Sequence, residues 1–105
     1  MLGELEQLVL LAVLQVGNGA YGVPIHHEIR HRSGRDLTLG TIYKTLSRME
    51  AKGLVRSELG DPTPERGGKA TRCYLVTAQG KRELQSTFRI LRRMSAGLDV
   101  GLEPT

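Results

Sequence analysis

The chain has 105 residues, enough for one domain, and a composition of 39% hydrophobic and 25% charged residues that excludes a disordered protein. Its single cysteine, Cys73, excludes an internal disulfide framework and favours a reducing compartment. The apolar run Leu8–Leu14 follows two acidic residues, lacks a basic leader and is too short to span a bilayer. We therefore expect a cytoplasmic protein.

The net charge of +4 is concentrated in the middle of the chain. Residues 24–56 contain seven basic and three acidic side chains, an excess equal to that of the whole chain. A local basic field of this kind suits a polyanionic partner, although a solvated surface that is merely basic gives the same composition.

The first helix is predicted over residues 2–16, where nearly every position from Leu8 to Leu14 is apolar. Such a helix is buried on more than one side, which in a short chain indicates that a partner subunit covers one face. An extended link over residues 20–22 follows. Pro24 suits the first turn of a second helix, and Gly34 is placed to end it.

Thr38 is a suitable N-cap for a third helix, whose apolar residues from Leu39 to Met49 recur at helical spacing on one face. Residues 54–59 and 71–76 are predicted to pair as a β-hairpin. The turn-rich stretch between them, residues 60–69, is predicted to form its tip and to be incompatible with strand.

Thr77 is expected to cap a fourth helix that extends to Leu98. Its apolar residues recur at spacings of four, three and seven, which is typical of a short contact between two helices. We expect a dimer interface that combines this helix with the first one. The predicted interface residues are Leu5, Leu8, Val9, Leu84, Phe88, Leu91 and Leu98.

This order of elements predicts a mainly α fold with a small β-hairpin, a winged helix-turn-helix with N- and C-terminal dimerisation helices. Residues 1–76 are predicted to form the DNA-binding domain, residues 77–98 the dimerisation helix, and residues 99–105 a flexible tail.

In a winged helix-turn-helix, the third helix fits the major groove of DNA, where base edges present distinct donors and acceptors. The tip of the hairpin can reach phosphates or the minor groove. We expect the third helix to enter the groove by its N-terminal half, where Gly40 permits close approach. The predicted contacts on this helix are Gly40, Thr41, Tyr43, Lys44, Ser47 and Arg48, and those at the tip are Arg66, Gly68 and Lys69.

Six short motifs occur in a characteristic order and spacing. They are Leu8–Leu14, Ala20–Gly22, Leu39–Leu46, Met49–Val55, Arg66–Lys69 and Tyr74–Thr77. Together they resemble the PadR family of bacterial transcriptional regulators, with a single short C-terminal helix, over residues 2 to about 98.

The resemblance implies a homodimer that binds a palindromic operator in double-stranded DNA, usually as a repressor, and is released by a small-molecule effector that the sequence does not identify. It assigns groove reading to Thr41, Tyr43, Lys44 and Ser47, and wing contacts to Arg66, Gly68 and Lys69. Tyr21 matches a tyrosine that either contacts DNA or packs. The chain has no tryptophan, so drug stacking between tryptophans, as in some relatives, is not expected.

Two alternatives remain open at this stage. One is a protein-interaction module with the same fold, although the basic third helix argues against it. The other is a metal-responsive regulator that uses His27 and His31, which lie four residues apart on the second helix. No nucleophile with its base and no cofactor motif is evident, so we expect neither an enzyme nor a cofactor.

Overall fold

The structure, a computed structural model, describes residues 1–62 and 70–98, with the side chains of residues 61, 62 and 70 left out of the description. The order of helices and strands confirms the predicted mainly α fold with one β-hairpin. The elements are α1 (Glu4–Val16), α2 (Gly22–Ser33), α3 (Leu39–Ala51), β1 (Val55–Pro62), β2 (Ala70–Val76) and α4 (Ala78–Ser95).

Helix α1 begins two residues later than predicted because Gly3 is its N-cap. The carboxylate of Glu6 accepts a hydrogen bond from the amide of Gly3 at 3.0 Å, which satisfies an amide that the helix leaves unpaired. Buried residues cover a wide arc of α1, as the apolar run predicted. However, Val9, Leu10, Ala12 and Val13 are already buried in the core of their own chain. No partner subunit is needed to cover them.

Helix α3 begins after its predicted N-cap and α2 ends at its predicted C-cap, but α2 begins at Gly22, which was predicted to lie in the extended link over residues 20–22. Pro24 lies in the first turn of α2, and Gly34 is its C-cap. The hydroxyl oxygen of Thr38 accepts a hydrogen bond from the amide of Thr41 at 3.1 Å and so caps α3.

The two strands form an antiparallel hairpin, with Val55 opposite Val76 and Glu58 opposite Cys73. Strand β1 extends to Pro62, so the prediction that no strand continues beyond residue 59 was wrong. The register shifts between Leu59 and Pro62, which places the proline at the end of the strand after a bulge, where the missing amide is tolerated. The amide of Tyr74 also donates to the carbonyl of Ala20 at 2.8 Å, joining the hairpin to the α1–α2 link.

Helix α4 is capped as predicted by Thr77, whose hydroxyl accepts from the amide of Gly80 and donates to the carbonyl of Gly53. The helix ends at Ser95 and not at residue 98, which corrects the predicted range 77–98. Ala96 is extended and Gly97 has a positive φ of 80°, a conformation that glycine adopts without strain. Leu98 therefore lies beyond the helix.

One apolar core joins all four helices to the base of the hairpin. Its buried hydrophobic residues are Leu2, Val9, Leu10, Ala12, Val13, Ala20, Ile25, Ile29, Ile42, Leu46, Met49, Leu54, Val55, Tyr74 and Leu84. Tyr74 is the one aromatic residue among them, and burial raises the pKa of its phenol. Within the two described ranges, no helix is long and apolar enough to cross a membrane.

Candidate nucleic-acid interface

Helix α3 has one face inside the core and the opposite face in solvent. Ile42, Thr45, Leu46 and Met49 are all at most 2% exposed, and the hydroxyl of Thr45 donates to the carbonyl of Thr41 at 2.8 Å. This burial fixes the rotation of the helix about its axis. The positions between the buried ones must then face outward, because side chains three and four residues apart share a face.

The outward face contains the predicted DNA-contacting residues. Gly40, Lys44, Ser47 and Arg48 are exposed, and Tyr43 is half-buried. The structure brings four of the predicted residues together, because Tyr43, Lys44, Ser47 and Arg48 line one shallow surface depression. These residues supply a phenol, an ammonium, a hydroxyl and a guanidinium group. Such groups donate hydrogen bonds to phosphates and base edges.

Gly40 lies in open space at the start of this face. A Cβ added at position 40 would have only the hydroxyl oxygen of Thr38 within 4 Å, at 3.9 Å. Packing within the chain therefore gives no reason for glycine at this position. Close approach to a molecule outside the chain would give one.

Thr41 is less available than the neighbouring polar residues. It is half-buried, and its hydroxyl oxygen accepts a hydrogen bond from the hydroxyl of Thr38 at 3.0 Å. Its amide is also bound by Thr38. In this structure Thr41 is part of the helix cap, but its hydroxyl only accepts the bond from Thr38 and so keeps its own hydrogen as a donor for a contact to DNA.

Tyr21 does not line the depression on α3. It is the N-cap residue of α2 and lines a separate cavity between the α1–α2 link and the hairpin, together with Asn18, Glu58 and Thr71. The predicted tip residues Arg66, Gly68 and Lys69 lie outside the described residues.

An ion pair sits beside the C-terminal end of α3. The ammonium of Lys52 lies 2.9 Å from the carboxylate of Glu6, and the amide of Gly3 binds the same carboxylate. The bond to Lys52, the amide of Gly3 and the nearby charge of Arg48 together hold the pKa of Glu6 below its ordinary value. Lys52 is thereby partly neutralised, whereas Lys44 and Arg48 form no ion pair within the described residues.

The histidines of α2 do not form a metal centre with the rest of the described chain. His27 and His31 are exposed, and His26 lies 3.4 Å from the carboxylate of Asp36. Among residues 1–62 and 70–98, no group of three or more His, Cys, Asp or Glu side chains could hold a metal ion. A zinc site held by protein ligands needs three or four of them.

Sequence reasoning missed two contributors to this surface. Gly22 packs against Tyr43, and Glu6 binds Lys52, across separations of 21 and 46 residues. The acidic residues in the first turn of α1 could be recognised from the sequence, because the helix dipole favours acids at that end. No local pattern in the sequence indicated which basic residue would meet it.

Comparison with known proteins places the chain in a family. The model of the transcriptional regulator PadR-like family matches residues 10–86. A PadR family transcription regulator from hypervirulent Clostridium difficile R20291 is 27% identical to this chain, with a TM-score of 0.68 over 89% of this chain and 95% of that one. A PadR family transcriptional regulator from Eggerthella lenta DSM 2243 is 26% identical, with a TM-score of 0.67 over 87% and 77% of the two chains.

A more distant similarity concerns the fold alone. F93 from STIV, a winged-helix DNA-binding protein, is 15% identical, with a TM-score of 0.67 over 89% of this chain and 92% of that one. A comparison with curated protein sequences gives no significant match.

The family model covers most of the chain, and the order of helices and strands agrees with the winged-helix neighbours. The protein belongs to the PadR-like family of transcriptional regulators and has their winged-helix DNA-binding fold.

Proposed function

We propose that the protein is a homodimeric repressor that binds a palindromic operator with the exposed face of α3 and is released by a small-molecule effector. The observation that carries the proposal is the shared depression lined by Tyr43, Lys44, Ser47 and Arg48, with Gly40 in open space beside it. This face combines hydrogen-bond donors with the cationic side chains of Lys44 and Arg48. Neither side chain forms an ion pair with an acidic residue of the described chain.

The exposed face of α3 suits the major groove of DNA in both shape and charge. A helix entering the major groove by its N-terminal half brings Gly40 nearest to the bases, and the next turn carries Lys44 and Ser47. Arg48 lies at the edge of this face, where a phosphate contact is expected. Phosphate contacts fix the position of the helix on DNA, and base contacts supply specificity.

The C-terminal part of α4 supports a dimer. Ile90, Leu91 and Met94 are 42%, 46% and 75% exposed, and together they form an apolar strip on the last two turns of the helix. A second copy covers this strip in the proposed dimer, in line with the family resemblance. Leu98 is 54% exposed, but it lies beyond the helix and so does not continue the strip along it.

The proposed dimer interface contains fewer residues than the sequence predicted. Val9 and Leu84 are buried in the core of their own chain and offer almost no surface to a partner. Leu5, Leu8 and Phe88 are half-buried, and Leu8 also lines an apolar groove between α1 and α2. We propose that these three residues meet the partner around the exposed strip of α4.

A two-fold dimer presents two copies of α3, which explains the expected palindrome. Its two half-sites are expected about 34 Å apart, one turn of the double helix, or a multiple of that distance. Binding at such a site can block transcription by occupying the promoter.

The experiment is a mobility-shift and footprinting assay with DNA from upstream of the protein's own gene. We expect a specific shift and a footprint with two related half-sites, whereas a shuffled fragment of equal length binds far more weakly. Equal binding to both fragments at every salt concentration would contradict operator recognition. The absence of any sequence-specific shift at low salt would favour the alternative of a protein-interaction module.

A further inference from the structure

A chain of hydrogen bonds joins the end of α3 to both strands of the hairpin. One carboxylate oxygen of Glu50 accepts a hydrogen bond from the amide of Ser57 at 3.1 Å and another from its hydroxyl at 2.6 Å. The same hydroxyl oxygen accepts a hydrogen bond from Nη1 of Arg72 at 3.0 Å. A serine hydroxyl can donate its hydrogen and accept at the same time, so these bonds form together. Glu50, Ser57 and Arg72 are therefore linked from α3 through β1 to β2.

A glutamate at position 50 is unfavourable for the helix and for DNA binding. Glu50 lies in the last turn of α3, which ends at Ala51, and the negative end of the helix dipole disfavours acidic side chains. It also adds a negative charge to a helix that is proposed to approach phosphates. The bonds to Ser57, and through it to Arg72, give this carboxylate a compensating role.

The hairpin is held at one position from both sides. Ser57 and Tyr74 lie opposite each other in the register. The amide of Ser57 donates to Glu50, whereas the amide of Tyr74 donates to the carbonyl of Ala20 at 2.8 Å. Because the bond to Ala20 does not involve Glu50, we expect the hairpin to stay attached to the core when the Glu50 carboxylate is removed.

Arg72 lies on the face of the hairpin that turns toward α3. It is opposite Leu59 in the register, and Leu59 is two residues from Ser57 on β1. Residues directly opposite each other, and residues two apart on a strand, have side chains on the same face. The bond from the Ser57 hydroxyl to Glu50 identifies this face as the one toward α3. Arg72 is exposed on it.

Electrostatic effects on Tyr74 place Arg72 near the depression on α3. Burial raises the pKa of the Tyr74 phenol, the charge of Glu50 raises it further, and the charge of Arg72 opposes the rise. Tyr43, which lines the depression, is also close enough to raise this pKa. The phenol therefore lies within electrostatic range of both Arg72 and Tyr43.

The guanidinium group of Arg72 is suited to a phosphate. It carries several N–H donors in a planar fork, and the bond to Ser57 uses Nη1. The fork can bind two phosphate oxygens at once, a geometry that arginine favours. Ser57 also restricts the long side chain before DNA arrives, which reduces the conformational entropy lost on binding.

We infer that Arg72 is a further DNA-contacting residue, which binds a backbone phosphate beside α3, and that Glu50 positions it through Ser57. This inference rests on the proposed function, because it requires operator DNA on the exposed face of α3. The orientation of Arg72 outweighs the repulsion between the Glu50 carboxylate and the phosphates, so an acidic residue of α3 strengthens the binding of a polyanion.

The contact of Arg72 is tested by the salt dependence of operator affinity, with Arg82→Ala as the control. Both arginines are exposed, but Arg82 lies on α4. Loss of one phosphate contact lowers the slope of log K against log salt by about one and weakens binding by about fivefold to tenfold at about 0.1 M salt. We expect both effects for Arg72→Ala and neither for Arg82→Ala. An unchanged slope in Arg72→Ala would overturn the inference.

The role of Glu50 is tested by comparing Glu50→Ala with Glu58→Ala. Each variant removes one exposed carboxylate, but Glu58 follows Ser57 on β1 and so lies on the opposite face of the hairpin. Removal of negative charge by itself strengthens DNA binding or leaves it unchanged, which is the result expected for Glu58→Ala. Glu50→Ala should instead weaken binding by about threefold, comparable to the loss of one hydrogen bond. Binding by Glu50→Ala that equals or exceeds that of the wild type would overturn the inference.

A double-mutant cycle separates the positioning of Arg72 from a general effect on the fold. In an Arg72→Ala background, Glu50→Ala should no longer weaken binding, because the side chain that it positions is gone. The same loss in both backgrounds would show that Glu50 acts on the fold alone. Ser57→Ala should weaken binding by about threefold, and Ser57→Thr, which keeps the hydroxyl, should bind like the wild type.

A failure of this inference differs from a failure of the proposed function. If the wild type binds the operator and Lys44→Ala lowers the salt slope but Arg72→Ala does not, the inference is wrong and the proposed function stands. If the wild type binds no operator, the proposed function fails and the inference fails with it. A lowered slope in Arg72→Ala, together with its coupling to Glu50→Ala, supports both.

Discussion

The ring of Tyr43 in α3 lies directly against the backbone of Gly22, the first residue of α2. A Cβ at position 22 would overlap both the hydroxyl oxygen and the adjoining ring carbon of Tyr43. Tyr43 is half-buried, so its ring can clear an added methyl group only by turning outward into the depression on α3. The glycine therefore sets the approach of α2 to α3 at the edge of the depression that is proposed to meet DNA.

This contact predicts that Gly22→Ala destabilises the fold by about 1–3 kcal/mol, because an added methyl group overpacks the site. Operator affinity should fall as well, since Tyr43 is displaced. Chemical denaturation measures the stability, and a double-mutant cycle with Tyr43→Ala isolates the contact. In the Tyr43→Ala background, Gly22→Ala should cost far less. Additive effects in the cycle would show that the two residues do not constrain each other.

Gly40→Ala separates the fold from the interface. Alanine is a better helix former and meets no obstacle within 3.9 Å, so stability should stay the same or rise by about 0.5–1 kcal/mol. If α3 enters the groove at Gly40, the added methyl group should weaken operator binding by about tenfold, comparable to the loss of one base contact. Thermal denaturation and fluorescence anisotropy measure the two effects. Unchanged affinity would place Gly40 outside the interface.

The Glu6–Lys52 pair predicts a pH-dependent contribution to stability. Because folding lowers the pKa of Glu6 below its ordinary value of 4.5, its carboxylate stabilises the folded state above pH 4.5. That contribution disappears as the pH falls through the lowered pKa. Glu6→Gln should therefore reduce the free energy of unfolding at pH 7 by less than about 1 kcal/mol, since Lys52 is largely exposed.

Urea denaturation of Glu6→Gln and the wild type over a range of pH measures this effect. The two stability curves should converge in acid. In a Lys52→Gln background, the effect of Glu6→Gln on the free energy of unfolding at pH 7 should be smaller, because Lys52 no longer lowers the pKa of Glu6. A difference that persists unchanged into strong acid would mean that Glu6 acts through its shape and not through its charge.

Leu91→Glu tests the proposed dimer more sharply than a change at Phe88. Phe88 packs partly against the core of its own chain, whereas Leu91 is 46% exposed. A charge at position 91 should dissociate the dimer with little effect on the fold of each subunit. Light scattering reports the mass, and Gln85→Glu, which places the same charge at another exposed position of α4, is the control. A Leu91→Glu protein that remains dimeric would remove α4 from the interface.

Local signals predicted most of the fold correctly. Thr38 and Thr77 cap the helices that they were expected to cap, and the apolar spacing of α3 identified its buried face. These features depend on residues within a few positions of each other, which is why a single sequence reveals them. The end of α4 was misplaced because Leu98 extended the apolar spacing, although Gly97 was the stronger signal for the end of the helix.

The candidate site was only partly predictable. The outward residues of α3 follow from its periodicity, but the packing of Tyr43 on Gly22 depends on how two helices cross. The assignment of Val9 to an interface shows a similar limit. An all-apolar helix does not reveal which of its faces meets its own core, and in α1 the side that contains Val9 does so. The cavity beside Tyr21 forms between segments 37 to 57 residues apart in sequence, so no local motif predicts it.

Contact between α3 and DNA is tested by the salt dependence of operator affinity in wild type, Lys44→Ala and Lys81→Ala. Both lysines are exposed, but Lys44 lies in the depression on α3 and Lys81 lies on α4. Loss of one phosphate contact lowers the slope of log K against log salt by about one. We expect this decrease, with weaker binding, for Lys44→Ala and not for Lys81→Ala. Equal slopes and affinities in all three proteins would contradict it.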